Sequence, residues 1–258
     1  MFCATAPQVQ NDVAQKGGIH MIIYPAIDIK QGKCVRLVQG RFSDVTVYSD
    51  NPVEMAIKWE SMGAEYIHVV DLDGALQGQS VNSQVIKDIA KAVKVPIQLG
   101  GGIRNLQVVE DMLNSGITRV ILGTAAVKNP DFVKEAVELY KDRIAVGIDA
   151  KDGMVAIEGW ETISEFTAVQ FAQKMYELGV RHIIYTDISR DGMLKGPNIP
   201  AMKEMVDNVE ANIIASGGVS NMDDIRNLKA TGVQGVIIGK ALYTGNVNLA
   251  EALKIAGE

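Results

Sequence analysis

Cysteine is scarce in this sequence. Only Cys3 and Cys34 occur, so neither a disulfide framework nor a cysteine zinc site can be written, and free thiols in a reducing compartment are expected. Histidine is nearly as rare: His20, His68 and His182 lie far apart, no His/Cys/carboxylate group has ligand spacing, and no catalytic metal or other cofactor is expected. No apolar run approaches the roughly 18 residues of a membrane span, and residues 1–20 have no apolar segment of the kind a secretory signal needs. A cytoplasmic protein that engages no membrane is therefore expected. Positive charge is also in deficit: 25 Lys and Arg stand against 31 Asp and Glu, a net charge of −6. That argues against a nucleic-acid binder, which would carry a basic face. Finally, no Gly-x-Gly-x-x-Gly follows the first apolar run, which weakens a dinucleotide-fold reading.

The chain is 47% hydrophobic, enough for a sizeable core. Residues 1–20 are polar and contain Gly17-Gly18; they are expected to be a poorly ordered leader or vector-derived remnant, His20 included. From Met21 to Glu258 a single domain is expected, with eight short β-branched runs: Ile22–Asp28, Tyr66–Asp71, Val95–Leu99, Arg119–Gly123, Ile144–Asp149, His182–Asp187, Asn212–Ser216 and Gly235–Gly239. Near-continuous apolarity marks strands buried on both faces, as in a parallel sheet. Helical patterns fill the gaps: 52–62, 82–93, 105–115, 130–140, 167–178, 199–208, 222–231 and 247–256. Asn51-Pro52 and Asn129-Pro130 place an N-cap before Pro at the first helical position, where its missing N–H costs nothing.

Eight βα units in a chain near the typical ~250 residues predict an α/β fold, a (β/α)8 TIM barrel. The chain also repeats. Asp71 and Asp187 are 187 − 71 = 116 apart, and Gly101-Gly102 and Gly217-Gly218, like Gly123 and Gly239, keep the same spacing. Asp28 and Asp149 are separated by 149 − 28 = 121. A two-fold internal half-barrel repeat is expected.

Two constellations carry chemistry. Gly101 and Gly102 with Gly123 and Thr124, and Gly217 and Gly218 with Gly239 and Lys240, offer backbone N–H groups after paired strands. Glycine lets a phosphate approach with no Cβ in the way, and the position after the last two strands is a frequent phosphate site of such barrels. Two copies point to a small-molecule ligand with a phosphate at each end. The plainer alternative is that these glycines only make tight turns. The second constellation is Asp28 and Asp149, which close the first and fifth strands and so face each other across the mouth. Such a pair can take one proton and give another. Asp187, with Thr186 beside it, is a further candidate, although stabilising its loop is the commoner task for such a residue, and Asp71 is its counterpart. His68 and His182 are expected to be core residues, as is Trp59, while Trp160 lies in a polar segment from which it could stack on a flat heterocycle.

These residues together resemble a known family. Tyr24–Lys30, Gly32–Leu37, Gln39-Gly40, Val70–Ala75, Gly100–Arg104, Gly159-Trp160, Thr186–Gly192 and Ser216–Val219 are similar to the phosphoribosylformimino-5-aminoimidazole carboxamide ribotide isomerases of histidine biosynthesis. The resemblance covers essentially all of residues 21–258. It implies a cofactor-free Amadori rearrangement of a bis-phosphorylated aldose to the ketose; separately, a monomer is expected. On that pattern Asp28 is the proton acceptor and Asp149 the donor, with Asp187 as rival for the donor's part. Arg36, Arg104 and Trp160 would contact substrate. One position departs: Arg41 follows Gly40 where the family usually has an acid. Three other readings share many of these features: the sister cyclase that works with a glutaminase, a bifunctional isomerase serving tryptophan synthesis, and a non-catalytic phospho-ligand barrel.

Overall fold

A computed structural model describes residues 20–160 and 162–258. The expected leader lies outside these residues except for His20, whose Nε2 is 2.8 Å from Glu65 Oε2. The strands are β1 (Ile22–Lys30), β2 (Lys33–Val38), β3 (Arg41–Ser49), β4 (Ile67–Asp71), β5 (Ile97–Gly100), β6 (Arg119–Leu122), β7 (Ile144–Lys151), β8 (Met154–Ile157), β9 (Thr162–Thr167), β10 (His182–Asp187), β11 (Asn212–Ser216) and β12 (Gly235–Ile238). Eight of them run parallel in the order β10-β11-β12-β1-β4-β5-β6-β7, and β7 pairs back onto β10, closing the barrel. The fold is the (β/α)8 barrel expected. Among the described residues, no helix is long and apolar enough to cross a membrane.

The eight long helices fall where the periodicity places them: α1 (Pro52–Ser61), α3 (Ser83–Ala92), α4 (Leu106–Asn114), α6 (Pro130–Tyr140), α7 (Ala168–Glu177), α8 (Ile199–Asn208), α9 (Met222–Thr231) and α11 (Leu249–Gly257). The Asn51 side chain accepts from the Val53 and Glu54 N–H groups and that of Asn129 from Phe132, as N-caps ahead of proline do. Three short helices were not expected: α2 (Leu72–Gln77), α5 (Thr124–Lys128) and α10 (Lys240–Tyr243), the last two directly after Gly123 and Gly239.

The sequence reading also missed two antiparallel excursions, β1-β2-β3 and β7-β8-β9, in which a barrel strand runs on past the rim and turns back. Their signal was present. Gln31-Gly32 links Lys30 paired with Lys33, Gln39-Gly40 links Val38 paired with Arg41, and Asp152-Gly153 links Lys151 paired with Met154. In all three turns both residues have positive φ, from 50° to 79°. A two-residue turn of that hand matches the twist of the flanking strands, and a glycine in second place is its short-range mark.

Alternation along the barrel strands decides which side chains face the lumen. Ile23, Ile27 and Ile29 of β1 pack outward against the helices, whereas Tyr24 and Ala26 join the inner cluster with Tyr66, Ile121, Ala145, Ile184, Ile214 and Ile237. On β7, Ile144, Val146, Ile148 and Ala150 point outward and Ala145 inward. Continuing the period of two, Asp28 and Asp149 fall on the inner face at the rim, while Asp71 and Asp187 fall on the outer.

Asp71 shows what the outer position does. It is fully buried and its carboxylate accepts from the backbone N–H groups of Gly74, Val81 and Asn82 and from the Asn82 side chain at 2.7 Å. It ties the loop after β4 to the barrel. Asp71→Ala leaves these buried donors unpaired, so a loss of roughly 3 kcal/mol in unfolding free energy is expected. Urea titration of the variant measures it; a loss below about 1 kcal/mol would show the loop to be held by other contacts.

Candidate active site

Asp28 pairs in register with Val70 of β4 and Val35 of β2, at the point where β1 leaves the barrel for its hairpin. Asp149 occupies the equivalent point on β7, opposite Thr186 of β10 and Ala156 of β8. Arg36 on β2 turns back to Asp28, with Nη1 2.8 Å from Oδ2, and both side chains are largely buried. Burial pushes the Asp28 carboxyl up to about 6 against the pull of Arg36, and the neighbouring Asp191 adds to the rise. Asp149 is also raised, chiefly by burial, while hydrogen bonds from Trp160 and Thr186 hold it back. The Trp160 indole N–H donates to Asp149 Oδ2 at 2.8 Å.

Asp191 was missed in the sequence. It sits in the loop after β10, where nothing in spacing or period marks it, and burial raises its pKa while Arg36 and Lys240 oppose the rise. Its charge is felt by both Asp28 and Asp149. Three carboxyl groups thus share one desolvated mouth with Arg36 as the near counter-charge. In the sequence it stands in the Asp191-Gly192 pair that closes the Thr186–Gly192 stretch.

Asp187 is not one of this group. Its Oδ1 accepts from the Ser189 N–H and hydroxyl, and its Oδ2 from Asn198 Nδ2 at 2.7 Å, with Arg190 Nε 3.6 Å away. These bonds fix the loop after β10, the commoner task foreseen for it. Thr186, one residue earlier and so on the inner face, is the member of that pair beside Asp149.

A pocket at the ends of β11 and β12 is lined by Arg36, Asp191, Gly217, Gly218, Gly239 and Lys240. The Arg36 guanidinium lies over Gly239 where a Cβ would collide with it, and Lys240 Nζ donates to the Gly192 carbonyl at 2.9 Å. On the other side, Gly123 has open space above it, and Thr124 Oγ1 accepts from the Glu158 N–H at 3.2 Å. Arg104 stays apart from the carboxylates: its guanidinium lies over Gly78 and reaches the Ala75 carbonyl at 3.4 Å. The glycine pairs need no phosphate to account for them. All four have φ from 74° to 101°, and an added Cβ would strike the Asp71 carbonyl at Gly101, Gln79 at Gly102, the Asp187 carbonyl at Gly217 and the Gly196 carbonyl at Gly218. The Cβ position of each is therefore taken up by neighbouring backbone.

His68 and His182 lie in the lower lumen. Gln98 Nε2 meets His68 Nδ1 at 3.0 Å, and Arg119 bridges Gln98 and His182. Burial lowers both imidazoles to about 3, so they are neutral structural groups. Trp59 is buried and Cys34 is a buried free thiol, while Arg41 finds its acid three residues on, in Asp44 at 2.8 Å. Among the described residues, no group of three or more His, Cys, Asp or Glu is placed to hold a metal ion.

A profile of a family described as histidine biosynthesis protein matches residues 22–248. A relative from Thermoanaerobacter pseudethanolicus is 65% identical over 236 residues, 92% of this chain and 100% of its own. One from Acetivibrio thermocellus is also 65% identical with the same coverage, and one from Clostridium botulinum is 51% identical over 235 residues, 91% of this chain and 97% of its own. All three are named 1-(5-phosphoribosyl)-5-((5-phosphoribosylamino)methylideneamino) imidazole-4-carboxamide isomerase.

Because Arg36 holds the Asp28 carboxyl down, Arg36→Met should move its titration further above 6. Carboxyl carbon NMR of the two proteins reads this directly; an unmoved or lowered midpoint would mean that the ion pair does not act on Asp28.

Proposed function

The chain belongs to the histidine biosynthesis protein family, and from there we propose that it is an isomerase that converts the aminoaldose end of a bis-phosphorylated imidazole carboxamide ribonucleotide to the ketose. The name its relatives share contains two phosphoribosyl groups, which suits a barrel with a glycine-rich loop pair on each side of its mouth. The observation that carries the reading is the placement of Asp28 and Asp149, inward from opposite strands and each within the field of Asp191.

In this reading Gly217, Gly218, Gly239 and Lys240 receive one phosphate and Gly101, Gly102, Gly123 and Thr124 the other. Arg36 sits between the first phosphate and Asp28. Arg104 and Trp160 complete the substrate contacts, Arg104 from the rim. Holding both ends of the ligand fixes the reacting ribose between the two carboxyl groups, which converts binding energy into orientation. Asp149, kept protonated more readily than an ordinary carboxyl, gives its proton to the ring oxygen as the C1–O bond opens. Asp28 takes the proton from C2. A proton returned to C1 and the loss of one from the C2 hydroxyl leave a carbonyl at C2, so the reaction neither gains nor loses a proton overall. With a pKa near 6, Asp28 is ionised at neutral pH yet basic enough to act. Burial keeps both groups above the ordinary carboxylate range, and Asp191 adds to the rise. The enzyme would act as a cytoplasmic monomer.

Two outcomes follow for turnover. Asp28→Asn should lower kcat by about 10²–10⁴ with KM changed far less. In the parent enzyme kcat/KM should fall as the pH drops through about 6, because the base must be ionised, and be about tenfold lower at pH 5 than at neutral pH. Steady-state kinetics on the aminoaldose substrate measure both. Near-normal turnover by Asp28→Asn would remove it as the base.

A further inference from the structure

Trp160 is held in an unusual way. Glu158, Gly159 and Trp160 are three consecutive residues with positive φ, 58°, 69° and 74°. That backbone costs energy for two non-glycine residues, so the contacts around it must offset the cost. One end is tied down: the Glu158 N–H donates to Thr124, and the Glu158 carboxylate receives Lys128 from α5 and the Thr162 hydroxyl. The other end is the indole, which reaches across the mouth to the turn between β2 and β3. There its six-membered ring packs against Gly40, so close that any Cβ would overlap Cε3 and Cζ3. The Gln39-Gly40 turn is itself anchored to the loop after β10, since Gln39 N–H donates to the Asp191 carbonyl at 3.1 Å and Gln39 Nε2 to the Ser189 carbonyl at 3.0 Å. The indole is thus clamped between a fixed surface and the Asp149 carboxylate.

We infer that Gly40 is a positioning residue for the reaction: its bare α-carbon is the seat that lets the Trp160 indole lie where its N–H meets Asp149. This rests on the reading of Asp149 as the proton donor. A methyl group at residue 40 displaces the ring, and Asp149 loses its donor. A carboxyl that loses a hydrogen bond to its charged form titrates higher, so the alkaline limb of the pH profile moves up. The seat also links three loops. The excursion after β1 supplies the turn, the excursion after β7 supplies the ring, and the loop after β10 holds the turn by the backbone of Asp191, the residue that acts on both Asp28 and Asp149.

The test is a double-mutant cycle of Gly40→Ala and Trp160→Ala. Gly32→Ala is the control, because Gly32 has the same backbone hand, φ 73°, and nothing within 4 Å of an added Cβ. Gly40→Ala should lower kcat/KM by about 10- to 100-fold, the scale of a misplaced catalytic group. It should also raise the alkaline limb and shift the Trp160 emission to longer wavelength, a shift missing from a Trp160→Phe background. Gly32→Ala should do none of these. In the Trp160→Ala background the Gly40 substitution should cost less than about twofold more. A folded Gly40→Ala enzyme with unchanged emission, or an equal loss with Trp160 removed, would overturn the proposal. Should Gly40→Ala not fold, the parent protein still decides. The Trp160 indole proton resonance, assigned by its loss in Trp160→Phe, should move on titration of Asp149 and stop moving in Asp149→Asn; a resonance indifferent to Asp149→Asn would overturn the seat. Full turnover by Asp149→Asn would end its part as donor, and the emission shift of Gly40→Ala would report the seat separately.

Discussion

The site depends on one constraint, the two-residue period of strands locked in a closed sheet. Closure through β7 and β10, with His182 opposite Ala145 and Asp187 opposite Ala150, fixes the register on both sides of Asp149. β1 is fixed likewise between β12 and β4. Within those registers a side chain either joins the lumen or packs under the helices. A slip of one residue would exchange the two sets, burying Asp28 and Asp149 among the isoleucines of the outer core and turning Ile27 and Ile148 into the mouth. The apolar outer face makes such a slip very costly, so the hydrophobic core places the carboxylates.

The same alternation separates four aspartates of similar appearance into two trades. Asp71 and Asp187 end their strands on the outer face and spend their lone pairs on loop donors. Asp28 and Asp149 end on the inner face, where Arg36 and the Trp160 and Thr186 donors meet them. A carboxylate saturated by local N–H groups is a fastener, whereas one that is desolvated and incompletely partnered is available to exchange a proton.

Much of this was legible in the sequence. Barrel strands buried on both faces write themselves as unbroken β-branched runs, and helices with one apolar stripe and an Asn-Pro start are equally plain. Strand ends then name Asp28 and Asp149. The excursions at the rim were not read because β3 and β9 are mostly half-buried or exposed and carry no apolar run; their mark is in the turns, Gln39-Gly40 and Asp152-Gly153. Asp191 escaped because it reaches the mouth from a loop, and no period governs a loop. The repeated glycine pairs have a local physical cause as well: neighbouring backbone passes where a Cβ would stand.

That last point changes which residues argue for an anion. If Gly217 and Gly218 are already compelled by the loop after β10, they say nothing by themselves about a phosphate. The weight falls on the cations beside them. Arg36 is drawn over Gly239 into the pocket lining, its Nε buried with no partner among the described residues, and Lys240 stands at the pocket edge bonded to a carbonyl. Arg36 also pairs with Asp28. Next to them, Tyr243 of α10 donates its hydroxyl to the Ala26 carbonyl at 2.9 Å, two residues before Asp28. The short helix that follows Gly239 therefore lines the pocket at one end and grips the strand of Asp28 at the other. An anion that settled against Arg36 and Lys240 would compete with Asp28 for the same guanidinium, leaving the carboxylate less restrained and more basic. In such an arrangement the hold on the anion and the basicity of Asp28 are two effects of a single arginine.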